Sequence, residues 1–401
     1  MRDGASARDC PRILLAWEAG AGRGHVVTLK TVAAALGDRC AYDASLCAMD
    51  HAGELGFCDL VFQGARLYAD EERRHTPGAP RTATWGEFMG DTGFRNTAFL
   101  TRQVGWWQET MRARRTDLVV ADYAPCALLA AQGLGVPTVL VGTGYSIPPE
   151  GLREFPVFLP EYPDRMFDEA DMVRTINAAV EPLGVPRLDH LPDVYRRSQE
   201  LVRTLDILDP YHGMRGHPVL PPVADLARIP AGTGEELFVY FSTTELDDAP
   251  VAEALAGLDM PVRAFCPGIG EAMAARLRAG GVMLEEAPVP VDLIASRSRL
   301  ILHSGQHGIL SLGLAAGVPQ IAIPQHLEHL YHARRAESQG VCTVATLEDR
   351  QCERLREMIA DAYESPAMRA RARDVAEHVR PQFAVDTARV ARERILPLLG
   401  M

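Results

Sequence analysis

Lysine is nearly absent from this 401-residue chain: Lys30 is the only one among 41 basic residues, the rest being arginine. That bias is of the kind GC-rich bacterial genomes impose, and it signals no function. Positive charge is also in deficit overall, with a formal net charge of -12, which excludes nucleic acid or an anionic membrane surface as the main partner. Short basic clusters such as Arg112-Ala113-Arg114-Arg115 read as solvated helix faces. The cysteines, at 10, 40, 47, 58, 126, 266, 342 and 352, form no CxxC pair and no Cys/His ligand spacing, which argues against a disulfide framework or a structural zinc site. No apolar run reaches the roughly 18 residues of a spanning helix. No apolar stretch follows the charged first residues, so neither a transmembrane segment nor a signal peptide is expected and the reading is cytoplasmic. Low-complexity tracts and short-period repeats are missing too.

What is present is ordinary globular composition, 47% hydrophobic and 23% charged, in a chain too long for one average domain. An apolar run, Ile13 to Trp17, leads into the glycine-rich turn Gly20-Ala21-Gly22-Arg23-Gly24 and then into Val26, Leu29, Val32, Ala33 and Leu36 at helical spacing. Strand, loop and helix in that order open a parallel α/β sheet. A second such unit runs from Leu118-Val119-Val120-Ala121-Asp122 through a helix over 126–134 to a strand over 136–141. The segment 62–115 is polar and carries Trp85, Phe88, Phe94, Phe99, Trp106 and Trp107; 145–200 is proline-rich, then helical. Proline and glycine punctuate 210–233, which reads as a boundary. The pattern then restarts: strands at 237–241, 262–266, 282–284, 300–302 and 320–323 alternate with helices at 249–258, 271–279 and 308–316. The expected fold class is α/β, two Rossmann-like doubly wound domains facing each other across a cleft. The expected limits are 1–215 and 216–383, with a C-terminal helix over 384–401 returning to the first domain.

Three strand-to-helix loops carry polar side chains where doubly wound sheets bind ligands. In the first, His25 opens the helix, and a histidine there can remove a proton from a hydroxyl near neutral pH; it can equally be a helix-start histidine with no chemistry. The glycine spacing departs from GxGxxG by one residue, which disfavours a dinucleotide. In the second, Asp122 ends an apolar strand of the same domain and would orient a histidine, or merely cap a helix. The third is His303-Ser304-Gly305-Gln306-His307-Gly308, a turn that offers backbone N–H groups to a diphosphate. Histidines at 326, 329 and 332 follow, yet no carboxylate or cysteine spacing supports a closed metal site.

The run from Leu300 to Ala333, LILHSGQHGILSLGLAAGVPQIAIPQHLEHLYHA, resembles the donor-binding signature of family 1 glycosyltransferases: a His-Gly-Gly type turn, a Gly-Val-Pro a helix later, and an acid-Gln pair after the next proline. The Gly24-His25 helix start resembles the family's catalytic histidine, and Asp122 stands where its aspartate partner is kept. Ser242-Thr243 resembles a phosphate-contacting turn, Ala287-Pro288-Val289-Pro290 the loop that holds the base, and Leu205 to Tyr211 the end of the first domain in bacterial members. These elements cover nearly the whole chain, most thinly over 60–115. The resemblance implies the GT-B fold and metal-independent, inverting transfer of a sugar from a UDP- or dTDP-sugar to a hydroxyl of a small-molecule, lipid or glycan acceptor, with no cofactor beyond the donor. His25 and Asp122 would be catalytic. Gly24, Ser242, Thr243, Val289, Pro290, His303, Ser304, Gly305, Gln306, His307, Gly308, Glu328 and His329 would bind the donor. Three departures stand out: Ser304 occupies the usual diphosphate histidine, Gln306 the second glycine, and His329 the glutamine of the acid-Gln pair. The Ser304 and His329 departures keep a non-catalytic sugar-nucleotide-binding protein in view as one rival; a nucleotide-sugar 2-epimerase-like isomerase, which shares the fold and a similar turn, is another. An NAD-dependent oxidoreductase ranks third.

Overall fold

The computed structural model describes residues 10–401 apart from 21, 68–83, 223–225, 227 and 243–244. The chain divides into two compact units, Met1–Arg203 with Asp209–Val223 and Asp386–Met401, and Thr204–Leu208 with Ala224–Val385.

The first unit is built on a six-stranded parallel sheet ordered β3-β2-β1-β4-β5-β6. Its strands are β1 (Arg12–Trp17), β2 (Ala41–Leu46), β3 (Leu60–Gln63), β4 (Leu118–Asp122), β5 (Thr138–Gly142) and β6 (Ser198–Val202). Strands β4 and β5 are buried along their whole length, as expected for central strands covered on both faces by helices. The order reverses at β1, which pairs with β2 on one side and β4 on the other. Helix α1 (Arg23–Leu36) crosses from β1 to β2, and α2 (Thr97–Arg114) and α3 (Pro125–Leu134) precede and follow β4. One core gathers Ile13, Leu15, Trp17, Leu29, Leu36, Val120 and Val141 between sheet and helices.

The second unit repeats the plan with the sheet order β12-β11-β10-β7-β8-β9, every pairing parallel. Its strands are β7 (Glu236–Tyr240), β8 (Val262–Phe265), β9 (Met283–Glu285), β10 (Ser298–His303), β11 (Gln320–Ala322) and β12 (Cys342–Val344). Here the reversal falls at β7, between β8 and β10. Helix α4 (His307–Ala316) follows β10 and α5 (Leu327–Ser338) follows β11. The separate core of this unit includes Leu237, Val239, Leu300, Leu302, Ile321 and Ile359.

The C-terminal helix Thr387–Ile395 belongs to the first unit. Ala391 and Ile395 enter that unit's core. Arg392 donates to the Ala35 carbonyl at 3.0 Å and Arg394 to the Glu200 carbonyl at 2.9 Å, so polar contacts flank the apolar seam. Ile395 is fully buried. Replacing it by alanine leaves a cavity in the first unit, and the expected cost is about 2–5 kcal/mol. Domain-resolved urea unfolding of Ile395→Ala should show the loss in the transition of the first unit while that of the second keeps its midpoint.

Candidate active site

In a doubly wound sheet, the loops leaving two adjacent strands in opposite directions open a crevice at the reversal point. In the first unit that point lies between β1 and β4, whose last residues, Trp17 and Asp122, are register partners. Helix α1 begins at Arg23, two residues before His25, because Gly22 at φ +96° turns the chain into its first turn. His25 therefore sits inside the first turn rather than at its opening, and its ring falls back over the strand ends. Its Nδ1 lies 3.0 Å from Asp122 Oδ2, with the histidine side chain 17% exposed and the aspartate 2%. A carboxylate accepts only, so Nδ1 carries the hydrogen and Nε2 is left as the basic nitrogen. Gly20, at φ +95°, is forced: a Cβ there would stand 2.6 Å from His25 Nε2. The imidazole stacks on Trp17, with centroids 4.9 Å apart and planes inclined 21°, and meets Tyr123 at 5.1 Å. Gly24 is exposed, and among the described residues a Cβ there would project into open space.

Beneath this pair lies Glu18, fully buried. Its carboxyl accepts from the Cys126 N–H at 2.8 Å, in the first turn of α3, and from the Trp107 indole of α2. Burial pushes it up to about 8 against the pull of these N–H donors. An acid after an apolar strand gave no sequence signal for this role, and neither did Trp17, which reads as core.

In the second unit the turns after β7 and β10 meet at the reversal point. Ser304 and His303 are both fully buried. Ser304 donates its hydroxyl to Glu245, a buried carboxylate that sequence reasoning did not single out because a lone acid in a turn resembles a cap. Gln306 caps the turn from within: its Oε1 accepts from Ser304 N at 3.1 Å, and its Nε2 donates to Ser242 Oγ at 3.2 Å and reaches Glu245 at 3.4 Å. Thr243 lies outside the described residues. His303 is engaged at both nitrogens, Nδ1 accepting from Gly305 N at 2.8 Å and Nε2 facing Gln320 Oε1 at 2.9 Å. His307 Nε2 pairs with Thr204 Oγ1 at 2.7 Å. Gly305, at φ +91°, packs so closely on the next loop that a Cβ would stand 2.6 Å from the His329 carbonyl oxygen. His329 and His326 lie ring on ring at 3.6 Å, and among the described residues buried His329 Nδ1 has no hydrogen-bond partner. Gly308 is exposed in the first turn of α4. Glu328 opens α5, half-buried. Val289 and exposed Pro290 precede the helix Val291–Arg297. The structure thus gathers 242 and 303–308 at one turn, with the 326–329 segment against it. It turns the side chains of 303, 304, 306 and 307 inward, leaving α4's backbone N–H groups as the polar lining. Among the described residues no group of three or more His, Cys, Asp or Glu is arranged to hold a metal. No described helix is long and apolar enough to cross a membrane.

Two doubly wound sheets, each with a polar cluster at its own reversal point, define a two-Rossmann protein. Solved structures that superpose on it include GT-B glycosyltransferases. CalG4, the calicheamicin glycosyltransferase, superposes with a TM-score of 0.68 at 18% identity over 98% of this chain and 99% of its own. The glycosyltransferase VinC, solved in complex with dTDP, superposes at 0.64 and 16% identity over 98% and 100%. At these identities the likeness establishes the GT-B fold. In sequence, the glycosyltransferase GtfC of Amycolatopsis orientalis is 30% identical over 107 residues, 27% of this chain and 26% of the relative, so the match spans about a quarter of that protein. No family model matches the chain.

The second unit's buried histidines contribute to its response to acid. Burial pushes His303 down to about 4, the Gln320 bond opposing it. His329 and His332 are held well below the ordinary value too, by burial first and by neighbouring imidazoles next. The unfolded chain takes up these protons below about pH 6.5, while the native ring of His303 refuses its own until about pH 4. Stability is therefore fully present above pH 6.5 and falls as pH drops through that window, by roughly 3 kcal/mol from His303 alone. Urea midpoints of the second unit should decline from pH 6.5 to 4.5, and less so in His303→Gln; a flat profile in the native chain would count against neutral burial.

Proposed function

We propose that the chain transfers a sugar from a nucleotide-diphosphate donor to an acceptor hydroxyl, with inversion at the anomeric carbon. The observation that carries this reading is the His25–Asp122 pair at the reversal point of the first sheet. His25 Nε2 takes the hydroxyl proton, the oxygen's electron pair forms the bond to the anomeric carbon, and the bond from that carbon to the diphosphate oxygen breaks with its electrons leaving on the diphosphate. Asp122 holds the reactive tautomer and offsets the charge of the imidazolium. The donor belongs to the second unit. Its diphosphate sits at the first turn of α4, met by the N–H groups of residues 306–309 and by Ser242, where the helix N-terminus stabilises the leaving charge without a metal. Val289 and Pro290 border the base, Glu328 and His329 the sugar. No cofactor is needed beyond the donor, and the site of action is the cytoplasm. The dTDP carried by VinC makes dTDP the first donor product to test, ahead of UDP.

One observation favours a second reading, binding without transfer. Ser304 stands where the family resemblance puts a histidine, and its hydroxyl is committed to the buried Glu245 carboxylate beneath the turn. With no side-chain donor at that position, the backbone N–H groups at the start of α4 can hold a diphosphate while the leaving charge lacks the stabilisation that transfer requires.

Two measurements test these readings, and the second separates them. If the second unit takes the donor, dTDP or UDP at 100 times its dissociation constant adds about 2.7 kcal/mol to the stability of that unit, visible as a thermal shift; a shift confined to the first unit would contradict the assignment. If His25 is the base, His25→Ala lowers turnover by about 10²–10⁴ while leaving nucleotide affinity unchanged. Asp122→Asn lowers turnover with the fold intact, whereas a mere cap would tolerate asparagine. The double variant should lose no more than the worse single one, since both remove the same step. Nucleotide binding with no sugar transfer to any hydroxyl tested would select the second reading.

A further inference from the structure

The groups around His25 include two that the proton transfer above does not use. The Trp17 ring lies nearly parallel to the imidazole, centroids 4.9 Å apart, and Tyr123 closes on it at 5.1 Å with planes inclined 55°. Trp17 is 1% exposed, so water does not screen its face. Its indole N–H donates to the Ala19 carbonyl at 2.5 Å, which fixes the ring's rotation, and its backbone is the register partner of Asp122. Glu18, the next residue, ties the same strand end to the Tyr123 carbonyl through its own N–H at 3.3 Å. Asp122 and Trp17 therefore approach the imidazole from one pair of aligned residues, the first at the ring edge and the second on the ring face.

An aromatic face carries the negative lobe of its quadrupole, indole most strongly. Against a neutral imidazole it offers dispersion; against an imidazolium it adds electrostatic attraction, which strengthens as water is removed. The contact thus discriminates between the two protonation states of His25. We propose that Trp17 is a positioning residue for His25 whose indole face also stabilises the imidazolium formed when His25 takes a proton, with Tyr123 as the second and weaker ring. This rests on the reading of His25 as the base, although the contact can be measured without it. Among the described residues, the titratable and charged groups near the pair include Asp122, Tyr123, Glu18 and Cys47, with Arg66 acting on Cys47. Burial pushes Glu18 up to about 8 and Cys47 up to about 12, so neither gains appreciable charge over the range from pH 5 to 7 in which an imidazole is followed.

The test is an NMR titration of His25 in the full chain, with no donor or acceptor present, its resonance assigned by His25→Gln. In Trp17→Leu the midpoint should move down by about 0.4–1.5 pH units, the worth of one cation–π contact at this burial. Trp17→Phe, which keeps a ring face, should recover most of the difference, and Tyr123→Leu should give a smaller downward shift. A midpoint in folded Trp17→Leu that matches the native protein overturns the proposal. Should that variant fail to fold, an unchanged midpoint in folded Tyr123→Leu overturns it, and a downward shift there supports it. In an active preparation the acid limb of kcat/KM should move with the titration. If no sugar is transferred at all but the midpoints shift as stated, this inference stands and the catalytic reading falls.

Discussion

The pairing of Trp17 with Asp122 across β1 and β4 is the contact on which the candidate active site depends. Residues in register on adjacent parallel strands project to the same side of the sheet, so the aspartate and the indole arrive together on the face that α1 covers. A slip of one residue would send one of them to the opposite face. Gly20 and Gly22 then let the chain fold back closely enough for the imidazole to rest between them. Position, tautomer and ring environment of His25 all follow from that one alignment.

The second unit solves a similar geometric problem with different chemistry. Its sheet also reverses between the strands that feed the polar turns, but the side chains there serve the turn itself. His303 spans from the Gly305 N–H to Gln320, and Ser304 and Gln306 share Glu245. A buried polar network of this kind holds its shape because each unpaired member would be costly. What it presents outward is backbone, and backbone N–H groups at a helix start suit an anion whatever side chains lie beneath. The departures of Ser304, Gln306 and His329 from the family pattern thus fall on residues whose side chains face inward or pack on a neighbouring ring.

The two units share a plan and differ in the titratable groups they bury. The first buries carboxyl groups such as Glu18 that are raised by desolvation, whereas the second buries imidazoles that are lowered by it. Both groups are neutral near pH 7, which is how an interior accommodates titratable side chains without counter-ions.

The alternation of apolar runs, glycine turns and helical spacing determined two doubly wound sheets, because strands buried on both faces and amphipathic helices leave their periods in the residues. The same local signals marked the loops: His25 after a glycine turn, Asp122 at a strand end, and the 303–308 turn. The start of α1 was legible only to within two residues, since its start at Arg23 depends on the backbone angle of Gly22 rather than on a capping side chain. Tertiary structure alone decided that His25 Nδ1 meets Asp122 across 97 residues, that Trp17 lies under the imidazole, and that Glu245 sits beneath Ser304. It also decided that His303 is committed to the interior. Contacts between residues far apart in the chain depend on strand order and register, and a residue's type carries no record of which strand will lie beside its own.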